Sequence, residues 1–213
     1  MKNIFLAVGL LCAAFTASAQ RGFQDSNRIG ITAGVNQTTL ATNNFPATPG
    51  IGWNGGLSMR GNFYNDFDMV YAMQFSENKF SVKTLNQLAA IEEVEYKLPG
   101  VQISLMLSYK ISGNNLTIEA GPVLQINGKL DLEEENANNL IQGTTLLAKD
   151  IAKVNTFNFN LGVGITGGIT NLRANLQYQY GVSNILNNLN EQHPGHNFNG
   201  HLGILSGNII VYL

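Results

Sequence analysis

The sequence predicts an all-β fold: an eight-stranded antiparallel transmembrane β-barrel, an up-and-down meander with short periplasmic turns and long extracellular loops. Three observations point to it. The stretch IGWNGGLSMRGNFY, residues 51 to 64, puts Ile51, Trp53, Leu57, Met59 and Phe63 on odd positions and Asn54, Ser58, Arg60 and Asn62 on even ones. That is the period of a strand with one wet face and one apolar face. The chain opens MKNIFLAVGLLCAAFTASA, with a basic Lys2, an apolar run and an Ala17-Ser18-Ala19 ending, which reads as a secretory signal cleaved near Gln20. Mean hydropathy is neutral because apolar and polar residues are interleaved rather than blocked, as in a membrane barrel.

The same alternation recurs along the chain. In 28–39, Ile29, Ile31, Ala33 and Val35 oppose Arg28, Thr32, Asn36 and Thr38. In 67–78, Phe67, Met69, Tyr71, Met73 and Phe75 oppose Asp68, Gln74 and Ser76. Segment 100–111 sets Val101, Ile103, Leu105, Leu107 and Tyr109 against Gln102, Ser104, Ser108 and Lys110, and 116–129 sets Ile118, Ala120, Leu124 and Ile126 against Thr117, Glu119 and Gln125. Segments 155–167 and 172–182 repeat the pattern, with Asn158, Asn160, Arg173, Asn175, Gln177 and Gln179 on the polar side. Segment 198–212 starts in phase and then slips near Leu205–Gly207, which suggests a bulge or a glycine kink. Pro122, inside a strand, suggests another. The links at 65–66, 112–115 and 168–171 have the composition of tight hairpin turns, whereas 40–50, 79–99, 130–154 and 183–197 read as long loops. Short links at one end and long ones at the other are the outer-membrane arrangement, with the short end periplasmic. A soluble eight-stranded barrel with a ligand needs a mostly apolar interior. Here one face is rich in Asn, Gln, Ser and Thr, so the apolar face is expected to look at lipid.

Domain organisation follows: a signal peptide over 1–19 and one barrel domain over 20–213. Cys12 is the only cysteine, so cleavage leaves no disulfide and no thiolate chemistry. A lipidated Cys12 is the alternative, but Gly9-Leu10-Leu11 fits that signal poorly. Charge is sparse, with 12 basic and 14 acidic residues, which argues against nucleic acid as a partner.

Several segments resemble the PorT-like outer-membrane β-barrel family of Bacteroidota-type bacteria: IGITAGVN, YKLPGVQISLMLSYK and IEAGPVL, the last with its Gly-Pro step. The likeness spans about 20 to 213, and it departs at the end, where Leu213 stands in place of the usual terminal aromatic residue. The resemblance implies residence in the outer membrane, handling by the barrel-assembly machinery and, for the namesake, a part in protein secretion.

Apparent motifs have plainer readings. GVGITG, residues 162–167, has dinucleotide-binding spacing, but no helix follows to receive a pyrophosphate. As strand residues, Gly162 and Gly164 would make room for a bulky inward neighbour. His193, His196 and His201 form a conceivable metal set, yet a Pro-Gly turn spreads them and solvated loop histidines are expected. Asp131, Glu133, Glu134 and Glu135 lack the spacing of a calcium loop and read as a solvated loop tip. No catalytic constellation, metal site or cofactor is predicted.

The candidate site is therefore internal. Arg60, Asp68, Lys110, Glu119 and Arg173 all fall on the polar face in the half of the barrel nearer the short turns, and are expected to meet as a charged layer. The expected function is that of an integral outer-membrane protein, a structural or interaction component of the envelope with a link to secretion. Its expected partners are outer-membrane lipid, the assembly machinery and envelope or secretion proteins. The alternatives are a narrow pore for small solutes or a binding module built on the 130–154 loop.

Overall fold

The structure is a computed structural model that describes residues 27–113, 115–192 and 197–213; the signal segment lies outside the described residues. Its strands are β1 (Arg28–Thr42), β2 (Ala47–Tyr64), β3 (Phe67–Leu85), β4 (Ile91–Ser112), β5 (Leu116–Asn127), the two-residue β6 (Leu140–Ile141), β7 (Phe157–Gly168), β8 (Leu172–Gly181) and β9 (Gly200–Tyr212), with a short helix α1 (Asn187–Gln192) before the last. Each long strand pairs antiparallel with the next, β9 returns to β1, and β2–β3 pairing completes the ring. The eight long strands thus form a closed meander that leaves no open edge at membrane depth. β6 lies outside the ring, against the top of β3 through Thr84 and Leu85.

The turns at one end are short. Asn65 adopts φ 46 and Gly113 φ 50, left-handed conformations that asparagine and glycine tolerate in tight hairpins. The chain termini of the described barrel lie at this end too, where Gly30 pairs with Tyr212.

Around the ring the apolar side chains point outward: Ile31, Met59, Tyr71, Leu105, Ile118, Val163, Leu176 and Ile209 are all exposed. Alternate residues are buried inside, among them Thr32, Ser58, Asp68, Gln102, Glu119, Asn160 and Asn208. β5, β7 and β8 run 12, 12 and 10 residues, close to the roughly 9–11 that cross a bilayer.

β3 and β4 are much longer, at 19 and 22 residues, and their upper parts reverse the rule. On β3 the outward row reads Phe67, Met69, Tyr71, Met73, Phe75 and then Glu77, Lys79, Ser81, Lys83. The inward row reads Asp68, Val70, Ala72, the half-buried Gln74, Ser76, Asn78 and then Phe80, Val82. β4 mirrors it, with Val94, Tyr96 and Leu98 buried and Glu93 and Glu95 exposed above the apolar-out stretch that starts at Val101. The barrel therefore has two storeys. The lower is apolar outside and polar inside; the upper is charged outside and apolar inside, as in a water-soluble barrel.

Four expectations are corrected, three of them by this reversal. Segment 79–99 is not a long loop: the two strands continue to a turn at residues 86–90, where Asn86 Oδ1 accepts from Leu88 and Ala90 N–H at 2.9 and 3.0 Å. Segment 40–50 is likewise strand except for residues 43–46. The expected slip in the last strand is absent, since β9 keeps one register with β1 and with β8 throughout. Leu202 and Ile204 are buried because they lie in the upper storey, and no bulge is needed. Pro122 also makes no bulge; the β4–β5 ladder skips Leu105 and Met106 and resumes in the same register.

Leu105 is 45 % exposed on the outer wall, while its neighbour Ser104 lines a cavity inside the barrel. Leu105→Arg is expected to weaken folding into lipid vesicles by about 2 to 4 kcal/mol, the cost of an arginine facing lipid near the midplane. Single cysteines check the register: one at 105 should react with a lipid-phase reagent, and one at 104 should not.

Candidate functional site

The interior is stratified. Nearest the short turns is a cluster of charges. Arg60, rising on β2, reaches across to β3 and β5: its Nη1 lies 3.3 Å from Asp68 Oδ2 and donates to Ser108 Oγ at 2.8 Å, and its Nη2 donates to Glu119 Oε1. Lys110 Nζ stands 2.9 Å from Asp68 Oδ1. Glu119 Oε1 also accepts from Ser108 and Thr117 hydroxyls, both at 3.2 Å, and its Oε2 faces Asn175 Nδ2 at 3.5 Å. Arg60, Asp68, Glu119 and Arg173 are all buried. So Arg60, Asp68, Lys110 and Glu119, on the consecutive strands β2 to β5, form one connected set, and Arg173 is buried on β8, between β7 and β9, two residues before Asn175. Ion pairs out of water are worth their desolvation only when the remaining lone pairs and N–H groups are also satisfied; three donors do this for Glu119 Oε1, whereas the buried Arg60 Nε has no hydrogen-bond partner.

Above this layer lies a ring of amides that the alternation identified only as polar-face residues. Gln179 Nε2 donates to Gln102 Oε1 at 3.0 Å, Gln102 Nε2 to Gln125 Oε1 at 3.4 Å, and Asn160 Nδ2 to Gln125 Oε1 and Gln179 Oε1 at 3.3 and 3.4 Å. These four side chains span four strands across the lumen. Between the layers is a cavity of about 30 Å³ bordered by Gln74, Ser104, Glu119, Asn175 and Asn208, room for a water molecule or two. The glycines of the GVGITG stretch belong here. A Cβ at Gly162 would meet Gln177 Nε2 at 2.9 Å, and one at Gly164 would meet Leu176 O at 2.9 Å; both are packing positions on a strand.

The third stratum was missed. Phe80, Val82, Val94, Tyr96 and Leu98 from β3 and β4, with Leu40, Leu202 and Ile204 from β1 and β9, form an apolar cup. Leu130, Ile141, Leu146, Ala148, Ile151 and Val154 of the 128–156 link, and Ile185, Leu186, Leu189 and Phe198 of the 182–199 link, fill it. The 130–154 segment is therefore a folded cap rather than an open loop, while its acidic residues Asp131, Glu133, Glu134 and Glu135 are exposed as expected. Its anchors are specific: Phe80 stacks on Tyr96 at 5.5 Å, and Tyr96 Oη donates to Ala148 O at 2.9 Å. Burial, helped by nearby Asp150, pushes the Tyr96 phenol well above the usual tyrosine range.

The other candidate groups do not converge. Asp131 makes a backbone bridge to Lys97, and Glu134 and Glu135 sit in a 3-10 turn (Glu134–Asn136). His201 is on the outer wall, stacked on Tyr180 at 5.8 Å with Nδ1 2.8 Å from Gly181 O; His193 and His196 lie outside the described residues. A groove of about 620 Å³ lies on the outer wall among Leu107, Tyr109, Ile118, Val163 and Tyr178, where lipid tails would lie.

A closed eight-stranded ring with an apolar skin, a polar lumen and long links at one end defines a small outer-membrane-type β-barrel. Consistent with this, the chain belongs to the family described as Outer membrane protein beta-barrel domain, which it matches over residues 18–187. It is similar in fold to Ail, the attachment invasion locus protein of Yersinia pestis, solved in complex with the heparin analogue sucrose octasulfate (9 % identity, 88 % of this chain and 99 % of that one, TM-score 0.51). It is also similar to Neisserial surface protein A (13 % identity, 86 % and 96 % covered, TM-score 0.48). No curated protein matches the chain.

Proposed function

We propose that this outer-membrane barrel is a non-conducting structural or interaction component of the cell envelope, exported by cleavage after residue 19 and displaying its capped storey on the cell surface. The observation that carries the reading is the sealed lumen: charges, amides and an apolar cap block it at three heights, and the cavity between the lower two is about 30 Å³. Eight strands leave an interior that side chains just fill, so solute transport has no route without removal of the cap. What remains for contact is the surface, which favours binding over catalysis and is compatible with the secretion-linked role that the PorT-like resemblance implies.

Planar-bilayer recordings of the purified mature chain test this directly. The expected result is no stable conductance steps, with pull-downs from solubilised outer membranes retaining an envelope protein. Large, stable steps that change in Glu119→Gln without loss of stability would overturn it in favour of a small-solute pore.

A further inference from the structure

Beyond Lys97, β4 has a neighbour on one side only among the described residues. β3 pairs with it as far as Leu85 opposite Ile91, but on the other side the ladder ends at Gly100 opposite Asn127, followed by the Gly128 N–H bond to Pro99 O at 2.8 Å and the bridge from Lys97 to Asp131. That bridge fixes the geometry beyond it. Lys97 N–H donates to Asp131 O at 2.9 Å, and Lys97 O accepts from Asp131 N–H at 2.8 Å, so residue 97 turns both backbone groups away from β3. Backbone groups alternate sides along an antiparallel strand, so Glu95, Glu93 and Ile91 turn theirs to the same open side. Among the described residues, no strand or loop bonds to them there.

This short edge is accessible and held in shape. Ile91 is 60 % exposed and the Glu95 side chain 48 %, while Val94 and Tyr96 between and beside them are locked in the cap core. It is also acidic. Glu93 and Glu95 stand on the edge, and Asp131, Glu133, Glu134 and Glu135 line the segment that departs from it. Lys79, Lys83, Lys97 and the exposed Lys129 answer, with Lys79 and Lys97 already 3.5 and 3.9 Å from Glu95, so the carboxylates outnumber the lysines.

We propose that the 91–95 edge of β4 receives an extended basic segment of a partner protein, which adds to the sheet as a strand. The proposal deepens the interaction reading above by naming where contact is made and with what chemistry. Main-chain hydrogen bonds from such an edge supply affinity, and alternate side chains supply selectivity. The carboxylates set that selectivity: two copies of this edge laid together would oppose glutamates, and like charges across strands repel. A partner running antiparallel meets Glu95, then Glu93, then Ile91. The fitting sequence is Lys or Arg, any residue, Lys or Arg, any residue, apolar, with Leu88, 88 % exposed at the hairpin tip, extending the apolar end.

The test uses the full mature chain in detergent micelles and a synthetic peptide of the form Arg-Thr-Arg-Thr-Val. Binding should slow amide exchange at Glu93 and Glu95. Glu93→Lys with Glu95→Lys, both on the exposed surface, should weaken binding about tenfold or more by turning two attractive cross-strand pairs repulsive, with heat-modifiable gel mobility unchanged. A peptide N-methylated on its bonding edge keeps its charge but cannot pair, and should not bind. Equal binding by the methylated peptide would reduce the site to diffuse charge attraction and overturn strand addition, as would absent binding, unchanged exchange at 93 and 95, or self-association of the chain through a cysteine placed at 93. None of these outcomes bears on conductance, so the sealed-barrel reading stands or falls separately.

Discussion

Arg60→Leu should destabilise the barrel by about 3 to 5 kcal/mol, the usual cost of removing one member of a dry buried ion set. The guanidinium is 4 % exposed and lies between two carboxylates, Asp68 and Glu119. Without it, Lys110 still faces Asp68, but Glu119 loses its ion pair with Arg60 while staying buried. Glu119→Gln should also destabilise, because the new amide N–H group meets donors where the carboxylate met them: Ser108, Thr117 or Asn175, depending on its orientation. The double variant should be less damaged than the sum of the two, since it removes both the orphaned charge and its partner. Reversible urea unfolding in lipid vesicles measures all three. A loss below about 1 kcal/mol for Arg60→Leu would mean that the layer is solvated and behaves as surface pairs do.

The second large effect is expected in the cap. Phe80→Ala should cost about 3 to 5 kcal/mol locally, the transfer term plus the cavity term for a fully buried aromatic residue. Phe80 is 1 % exposed and stacks on Tyr96, so its loss undermines the platform on which the 128–156 link rests. The readout is proteolysis within 130–154, faster in the variant, while the lower storey keeps its heat-modifiable mobility. Equal cleavage of parent and variant would show that Phe80 does not hold the cap. The pH dependence has a definite sign. Because the folded Tyr96 phenol titrates above its ordinary value of about 10, its contribution is fully present below that pH and is lost as pH climbs through the raised value.

The lower storey was legible because lipid imposes one rule on its outer face: odd positions of β2, β3 and β4 such as Leu57, Met73 and Leu105 are apolar, whereas the inward face mixes polar residues with a few apolar ones, Val70, Ala72 and Met106 among them. That rule gave the strands, the tight turns and the polar row on which Arg60, Asp68, Lys110, Glu119 and Arg173 stand. Which charges touch was not legible, since strand tilt and stagger decide levels; the Arg60–Glu119 contact crosses two strands. The upper storey was misread for a physical reason. In KFSVK, residues 79–83, the alternation continues but its meaning flips, with Phe80 and Val82 inward and Lys79, Ser81 and Lys83 outward. The signal was present in the continued period of two. The mistake lay in requiring that the apolar set keep facing the same way. The same assumption makes Leu202 and Ile204 look like the start of a phase slip and gives Leu130, Ile141 and Ile151 no core to face, so 130–154 reads only as a long loop.

The inversion between Phe75 and Lys79 also works as a waterline. A barrel whose greasy skin simply faded would ride higher or deeper as bilayer thickness changed. Here the apolar band ends within a step or two along β3, at Glu77 and Lys79, and the same boundary falls on β4 between Val101 and Lys97. Sinking by one such step would drag paired lysines and glutamates (Lys79 with Glu77 and Glu95) into hydrocarbon, whereas rising would expose Phe75 and Val101 to water. The protein is thereby fixed in depth, and the surrounding lipid must thin or thicken to meet it.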